Sequence, residues 1–298
     1  MAQAAITLRP VETERDLEDW VRVRNAVVPN EPTTAEQVRA LDEEGRLLLL
    51  AEVDGELAGS GAAARSHFVG RGFVAPRVVP SHRGRGLGTA ILDELADHIR
   101  SLDRGELISF VYADEPDSVA FAERFRQVVV DYQLEQTREI GDEPPAILPD
   151  GIEVVSLAGR RDELLRAAWP VALEGYEDMP LPGDIVYELD EWLRDEATRS
   201  DGSFVALEGG EVVGYAGLMK HADGDARVEH GLTVVRRDRR GRGIAQALKH
   251  AQLHWAAKAG VVELVTWTQK GNEAMQGLNR SLGYVDRSKV LTYVGPLP

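Results

Sequence analysis

The chain has no cysteine and few cations. Its 298 residues include 34 lysine and arginine residues against 50 aspartate and glutamate residues. Without cysteine there is no disulfide, no zinc–thiolate site, no iron–sulfur cluster and no cysteine nucleophile. The formal net charge of −16 argues against a nucleic-acid partner, which would need a basic surface.

Targeting and membrane signals are also lacking. The first ten residues do not combine a basic start with an apolar core, so no signal peptide is expected. No run approaches the ~20 apolar residues of a membrane span, so we expect no membrane partner. The absence of cysteine suits a reducing compartment, and we predict a cytoplasmic location.

The length predicts about two domains of ~150 residues, and an internal repeat supports this division. The sequence RGRGLG at 83–88 returns as RGRGIA at 240–245, 157 residues later. The preceding hairpin-like segments at 51–62 and 206–217 also resemble each other, with Gly59 matching Gly214. Residues 141–151, with three prolines and two glycines, are typical of a linker. We therefore predict a duplication with domains at 1–140 and 151–298, joined by a linker at 141–150.

Each half has a mixed order of elements. In the second half, apolar β-rich segments at 204–207, 212–219, 226–235 and 261–268 alternate with helical patterns at 244–259 and 272–282. This order predicts an α/β (α+β) fold, with helices around a central sheet in each domain.

The glycine-rich turn at 240–245 follows a predicted strand and opens a predicted helix. A helix N-terminus has unpaired N–H groups and a positive dipole end, and glycine lets a ligand approach closely. Such a site favours a pyrophosphate, and five of the seven residues at 236–242 are arginines. The spacing is neither that of a P-loop nor that of a dinucleotide fingerprint. The alternative is a surface turn with solvated arginines. Because the turn occurs twice in equivalent contexts, we favour the ligand-binding interpretation.

These turns resemble the acetyl-coenzyme-A loop of the GNAT superfamily of N-acetyltransferases, whose pattern is Arg/Gln-x-x-Gly-x-Gly/Ala. The segment 271–284, GNEAMQGLNRSLGY, is similar to the last helix of that family. The resemblance covers nearly the whole chain as two tandem copies. It implies two GNAT-like domains, each with a twisted mixed, mostly antiparallel sheet. It also implies acetyl-CoA as cosubstrate, bound where two central strands part, and no metal.

The resemblance assigns acetyl-CoA contacts residue by residue. In the second half they are Thr233, Val234, Val235, Arg240, Gly241, Arg242, Gly243, Ile244, Ala245 and Asn272. In the first half they are Val78, Arg83, Gly84, Arg85, Gly86, Leu87 and Gly88. Asn279 stands where many members carry a tyrosine that acts as general acid. An amide does not titrate, so we expect Asn279 to bind cofactor or substrate. Tyr284 is expected to be structural.

Acetylation of an amine needs a base, because an ammonium group has no lone pair. Glu229, on the strand before the loop, is our candidate, either directly or through a water relay. The alternative is that it is a surface carboxylate. His230, on the opposite face of the strand, is the second candidate.

The two halves differ at these positions. The 157-residue offset matches Glu229 with Gly72, Asn272 with Glu115 and Asn279 with Ala122. We therefore expect the second half to catalyse, and the first half to be structural or to bind coenzyme A unproductively.

The acceptor is expected to be a small-molecule amine. Residues 174–201 contain ten acids, which would attract a cationic amine, although they also suit a solvated helix face. Tyr176, Glu177, Asp178 and Lys220 are the predicted acceptor contacts. Two other functions stay open at this stage: a peptide or protein N-acetyltransferase, and a non-catalytic acyl-CoA-binding regulatory protein. The protein is expected to be a monomer or a homodimer.

Overall fold

The computed structural model describes residues 5–29, 31–41, 45–179, 183, 186–221 and 224–298. The chain forms two compact units. Unit 1 comprises residues 1–131, 182–186 and 290–298, and unit 2 comprises residues 132–181 and 187–289. No helix in the described ranges is long and apolar enough to span a membrane.

Strands make up the centre of both units. In chain order they are β1 (Ile6–Pro10), β2 (Leu47–Val53), β3 (Glu56–Arg65), β4 (Arg71–Val74), β5 (Arg77–Val78), β6 (Glu106–Tyr112), β7 (Val128–Glu139), β8 (Ile152–Ser156), β9 (Phe204–Glu208), β10 (Glu211–His221), β11 (Gly224–Val235), β12 (Glu263–Gln269) and β13 (Val285–Pro296).

Helices flank the strands. They are α1 (Glu14–Val27), α2 (Ala35–Ala40), α3 (Leu87–Ser101), α4 (Pro116–Arg124), α5 (Arg161–Glu177), α6 (Leu189–Asp195), α7 (Ile244–Ala259) and α8 (Glu273–Ser281).

Each unit contains a mixed, mostly antiparallel arrangement of strands, as predicted. In unit 1 the order is β1-β2-β3-β4-β6-β13, with the short β5 also paired to β3. In unit 2 the order is β7-β12-β11-β10-β9-β8. The β4–β6 and β11–β12 pairs are parallel, and the other pairs within each unit are antiparallel.

Each unit includes a strand from the other half of the chain. Residues 290–296 of β13 pair with β6 in unit 1, from Val290 opposite Tyr112 to Pro296 opposite Glu106. Residues 133–139 of β7 pair with β12 in unit 2. Residues 140–150 contain no helix or strand. The boundaries 1–140, 141–150 and 151–298 stay a prediction about the sequence repeat, since the compact units are divided differently.

The matched glycines Gly59 and Gly214 have a packing role. A Cβ on Gly59 would lie 3.0 Å from the Ile91 side chain of α3, and one on Gly214 would lie 3.1 Å from Leu248 of α7. The two helices bury an apolar face against their sheets at these points. Because each helix approaches so closely, its first turn is held beside the strand that leads into the glycine-rich loop.

Residues 290–296 of β13 complete the sheet of unit 1, so a charged residue introduced at a buried position there should destabilise the fold. Val294 of β13 is 6% exposed, opposite Ile108, whereas Val285 of the same strand is 63% exposed. Val294→Asp buries a charge and should lower the free energy of unfolding by about 3–5 kcal/mol. Val285→Asp is the matched control and should change it by about 0.5 kcal/mol or less. Urea unfolding followed by circular dichroism measures both, and equal midpoints would contradict the assignment of residues 290–296 to the core of unit 1.

Candidate active site

The central parallel strands of unit 2 pair over a short distance and then part. Strands β11 and β12 are paired at Arg227–Glu263, Val228–Leu264 and Glu229–Val265. In the described part of the chain no further pair follows, although β11 continues to Val235. The opening therefore starts at Glu229, and the next described residues of β11 pair with β10 and not with β12.

A β-bulge lies in β11 where the opening begins. Ala216 of β10 is opposite Thr233, whereas Leu218 is opposite His230, so β11 has one extra residue here. The bulge changes which face of the sheet each side chain occupies. Val228 packs with α7, but Leu232 and Val234 pack with α5 and α6. Glu229 is half-buried and, by alternation from Val228, lies on the α5 side.

The glycine-rich turn at 240–245 forms the N-terminus of α7. Gly241 and Gly243 have φ values of +76° and +81°, a region in which a side chain would be strained. The first N–H groups of any helix lack partners within the helix. Gly243 is the N-cap residue of α7 and has no side chain that could accept a hydrogen bond from them. Arg240 closes the turn, because its Nε donates to the Val235 carbonyl at 2.9 Å. Ile244, the first residue of α7, is buried.

Unit 1 builds the same turn. Gly84 and Gly86 have φ values of +74° and +85°, and Gly86 is the N-cap of α3. Arg83 Nε donates to the Val78 carbonyl at 3.3 Å, in the same way as Arg240 in unit 2. The next residue, Leu87, is buried, and a Cβ on Gly88 would lie 3.2 Å from the Phe121 ring. Both predicted loops therefore have a backbone that suits an anion at a helix N-terminus.

The arginines of the unit 2 loop are paired with carboxylates. Arg240 and Arg237 contact Asp178 at 2.6 and 2.8 Å, and Arg242 contacts Glu208 at 2.8 Å. Arg237 and Arg240 lower the pKa of the Asp178 carboxyl to about 2, since their hydrogen bonds stabilise its charged form.

Two predicted acceptor contacts, Glu177 and Asp178, thus lie against the loop. Arg237 contacts Glu177 at 2.9 Å. Tyr176 is half-buried and stacks on Tyr187 with ring centroids 3.9 Å apart. Lys220 is exposed, and its backbone N–H donates to Thr198 Oγ1 at 2.9 Å. Pro180 and Asp184, further along the acidic segment, lie outside the described residues. The roles of these residues in acceptor binding stay predictions.

His230 and Tyr284 form a buried pair on the α7 side of the sheet. His230 Nε2 lies 2.6 Å from the Tyr284 hydroxyl. Burial, and then the charge of Lys249, lower the pKa of His230 well below its usual value. The ring is therefore neutral at pH 7, on the opposite side of β11 from Glu229.

The two predicted asparagines have different surroundings. Asn272 is the N-cap of α8, with Oδ1 accepting from the Met275 N–H at 3.4 Å. Asn279 is fully buried, and its Nδ2 donates to Gln136 Oε1 at 2.9 Å. Gln136 belongs to β7, the strand supplied by the first half of the chain. Asn279 Oδ1 is buried without a hydrogen-bond partner in the described ranges.

Sequence reasoning missed Glu196, a buried carboxylate beside the bulge. Tyr215 OH donates to its Oε1 at 2.9 Å, and the backbone N–H groups of Leu232 and Ala197 also donate to it. Burial raises the pKa of Glu196, although these bonds oppose the shift. A Cβ on Gly217 or Gly231 would lie only 2.1 or 2.0 Å from Glu196 Oε1.

The sequence does contain features that mark the site of Glu196, but they lie at distant positions in the chain. It is one of ten acids at 174–201, and nothing in its local sequence separates it from the others. Glycine inside a strand indicates a bulge or a close approach by another group. Gly217 and Gly231 are such glycines, and together they mark the place that Glu196 occupies.

Unit 1 differs from unit 2 at the opening, and one residue match requires correction. The third β4–β6 pair is Phe73–Ile108, which corresponds to Glu229–Val265. Phe73, and not Gly72, therefore matches Glu229. The constant offset of 157 fails because unit 1 lacks the extra bulge residue of β11. Because a phenylalanine side chain cannot accept a proton, unit 1 still has no candidate base at the position that matches Glu229.

Comparison with protein families agrees with this geometry. The model of the Acetyltransferase (GNAT) family matches residues 13–126 and again residues 163–284. A mycothiol acetyltransferase of Nocardia farcinica is 29% identical over 269 residues, covering 85% of this chain and 84% of the relative. One from Streptomyces scabiei is 25% identical over 304 residues, covering 96% of this chain and 95% of the relative.

Solved structures share the fold along the whole chain. A GCN5-related N-acetyltransferase from Sphaerobacter thermophilus has a TM-score of 0.79 at 22% identity, covering 98% of this chain and 96% of that chain. A tandem GNAT protein from the clavulanic acid biosynthesis pathway has a TM-score of 0.76 at 19% identity, covering 99% of both chains. The predicted enzyme class and tandem fold are confirmed, and the chain belongs to the acetyltransferase (GNAT) family, with two copies of the fold in tandem.

Proposed function

We propose that the protein transfers an acetyl group from acetyl-CoA to a primary amine of a small molecule, and that unit 2 catalyses the reaction. The observation that carries this proposal is the combination, in one unit, of a glycine-rich loop at a helix N-terminus, an opening between parallel strands and a carboxyl side chain where the opening begins. The curated relatives support a small acceptor, because their name refers to mycothiol and not to a protein.

The donor would lie along the opening between β11 and β12. Its pyrophosphate would accept hydrogen bonds from the N–H groups at 241–245, where the helix dipole favours negative charge. Arg240 and Arg242 would add charge-assisted bonds. The acetyl-pantetheine arm would then extend along the backbone of Thr233, Val234 and Val235, the part of β11 that β12 leaves unpaired.

The reaction requires a group that accepts a proton from the amine and a hydrogen-bond donor that stabilises the thioester oxygen. The amine nitrogen attacks the thioester carbon, the C–S bond breaks, and coenzyme A leaves as a thiolate that takes a proton from water. A backbone N–H beside the bulge would stabilise the negative charge on the oxygen. Glu229 would accept the amine proton, directly or through one water.

Glu229 is favoured over His230 on geometry. It lies on the α5 side of β11, toward the acidic and aromatic segment that would receive the acceptor. His230 lies on the α7 side, where the Tyr284 hydroxyl occupies its Nε2.

Glu196 would act as a positioning residue for the bulge. Its carboxylate receives hydrogen bonds from Tyr215 and from the Leu232 N–H, one residue on each of the two strands at the bulge. Trp192 packs against Tyr215 with ring centroids 5.4 Å apart. The aromatic faces of Trp192 and Tyr215 also favour a cationic acceptor on this side of the sheet.

Replacing Glu229 tests the base. We expect Glu229→Gln to lower kcat by about 10²- to 10⁴-fold, because the amide is nearly isosteric but accepts no proton at pH 7. The KM for acetyl-CoA should change less than about twofold, since Glu229 lies off the loop. Thiol release with the best amine from a panel of aminosugars, diamines and amino acids gives both constants. Glu211→Gln, an exposed carboxylate on β10, is the control, and an unchanged kcat for Glu229→Gln would rule out this base.

Replacing the two N-cap glycines tests which unit catalyses. Gly243→Glu strains a residue at φ +81° and puts a negative charge in the loop, so turnover should fall at least about 100-fold. Gly86→Glu makes the same change at φ +85° in unit 1 and should leave kcat within about threefold. Steady-state thiol release measures both variants. Loss of turnover in Gly86→Glu alone would assign catalysis to unit 1.

A further inference from the structure

Two arginines lie on the α1 face of unit 1. Arg77 belongs to β5, and its guanidinium lies 5.5 Å from the centre of the Trp20 ring of α1. Arg24, one turn further along α1, is close enough that its charge lowers the pKa of Arg77. The Arg24 side chain is 13% exposed. Like charges in such a place destabilise the fold unless an anion accompanies them.

Arg77 lacks a hydrogen-bond acceptor within the described ranges. Its Nη1 is inaccessible to solvent and has no partner. Burial, and then Arg24, lower the pKa of Arg77 to about 10, so the guanidinium stays charged at pH 7. A buried donor without an acceptor costs free energy in the absence of a ligand.

The negative charge beside the two arginines is small. Glu31 Oε2 lies 3.7 Å from Arg24 Nη2, and the Glu31 side chain is 43% exposed. The Tyr112 hydroxyl donates to the other Glu31 oxygen, and Arg24 Nη1 donates to Asn25 Oδ1 at 3.2 Å. Among the described residues, one half-exposed carboxylate thus balances two guanidinium groups.

Ser60 provides a second unpaired polar atom on the same face. It is opposite Arg77 in the β3–β5 pair, so both side chains leave the sheet on the same side. Ser60 is fully buried, and its Oγ has no hydrogen-bond partner in the described part of the chain.

The other repeat is different at these positions. The pair Ser60–Arg77 corresponds to Tyr215–Val234, since Gly59–Val78 and Gly214–Val235 are the adjacent pairs in the two units. In unit 2 the valine packs in the core, and the buried ionisable group nearby is the carboxyl of Glu196. The same face therefore has a buried carboxyl group in unit 2 and two half-buried guanidinium groups in unit 1.

We propose that unit 1 has a binding site for a small oxyanion, a carboxylate or phosphate group, between α1 and β5. Arg77 and Arg24 hold the anion with charge-assisted hydrogen bonds, and the Ser60 hydroxyl donates a further one. The Trp20 ring forms one wall. This site is on the opposite face of the sheet from α3, and it does not depend on the proposed acetyl transfer.

The indole N–H of Trp20 gives a local NMR signal for the test. Trp20 is the one tryptophan of unit 1, and Trp20→Phe assigns its signal. The full chain is saturated with coenzyme A, so that any loop able to bind it is occupied, and is titrated with inorganic phosphate or with succinate. We expect a saturable shift of the Trp20 signal with at least one probe. Phosphate alone or succinate alone identifies the kind of oxyanion, and no saturable shift with either overturns the proposal.

Variants separate the site from general ion effects. Arg77→Val installs the residue that unit 2 has at the matching position, so the variant should fold, and its affinity should fall at least about tenfold. Arg24→Gln should weaken binding at least about fivefold and serves if Arg77→Val does not fold. Arg22→Gln, an exposed arginine of the same helix, is the control and should bind like the parent chain. Unchanged affinity in both Arg77→Val and Arg24→Gln contradicts the site.

Discussion

The short parallel pairing between β11 and β12 is the constraint on which the candidate site depends. Three residue pairs hold the two strands together, and then the strands part at Glu229. The bulge lies one to three residues later, and the loop at the N-terminus of α7 follows the end of β11. A longer pairing would close the opening, and a bulge-free strand would shift the side chains of β11 by one position relative to the two faces of the sheet.

Ionisable side chains are concentrated in separate regions of this acidic protein. The loop arginines of unit 2 are held by Asp178 and Glu208, which keep them oriented near the helix N-terminus before any ligand arrives. A phosphate bound at the loop, as proposed, would have to compete with these carboxylates, which would lower its affinity. Beside the bulge the buried ionisable group is the carboxyl of Glu196, whereas Arg77 and Arg24 supply half-buried positive charge in unit 1. The duplicated fold thus has different ionisable groups at matching places, a carboxyl in one unit and two guanidinium groups in the other.

Local patterns in the sequence predicted the fold class, the tandem repeat and both loops, because glycine conformation, helix starts and strand periodicity are encoded over a few residues. Local patterns did not predict that β13 pairs with β6 in unit 1 and that β7 pairs with β12 in unit 2, since each looks like the ordinary last strand of its own half. Glu196 was missed because it follows α6, whereas its partners Gly217, Gly231 and Tyr215 come from the strands β10 and β11. The extra residue of β11 also explains why Gly72 was matched with Glu229 in place of Phe73.

The central claim is that one unit of the pair performs the chemistry, at the opening beside the bulge of β11. A crystal structure of the full chain with acetyl-CoA and a bound amine tests it most directly. We expect the thioester carbonyl to lie beside the β11 backbone at 231–235, with the amine nitrogen on the α5 side within one water of Glu229. An amine bound next to a thioester in unit 1, with unit 2 empty, would contradict the account.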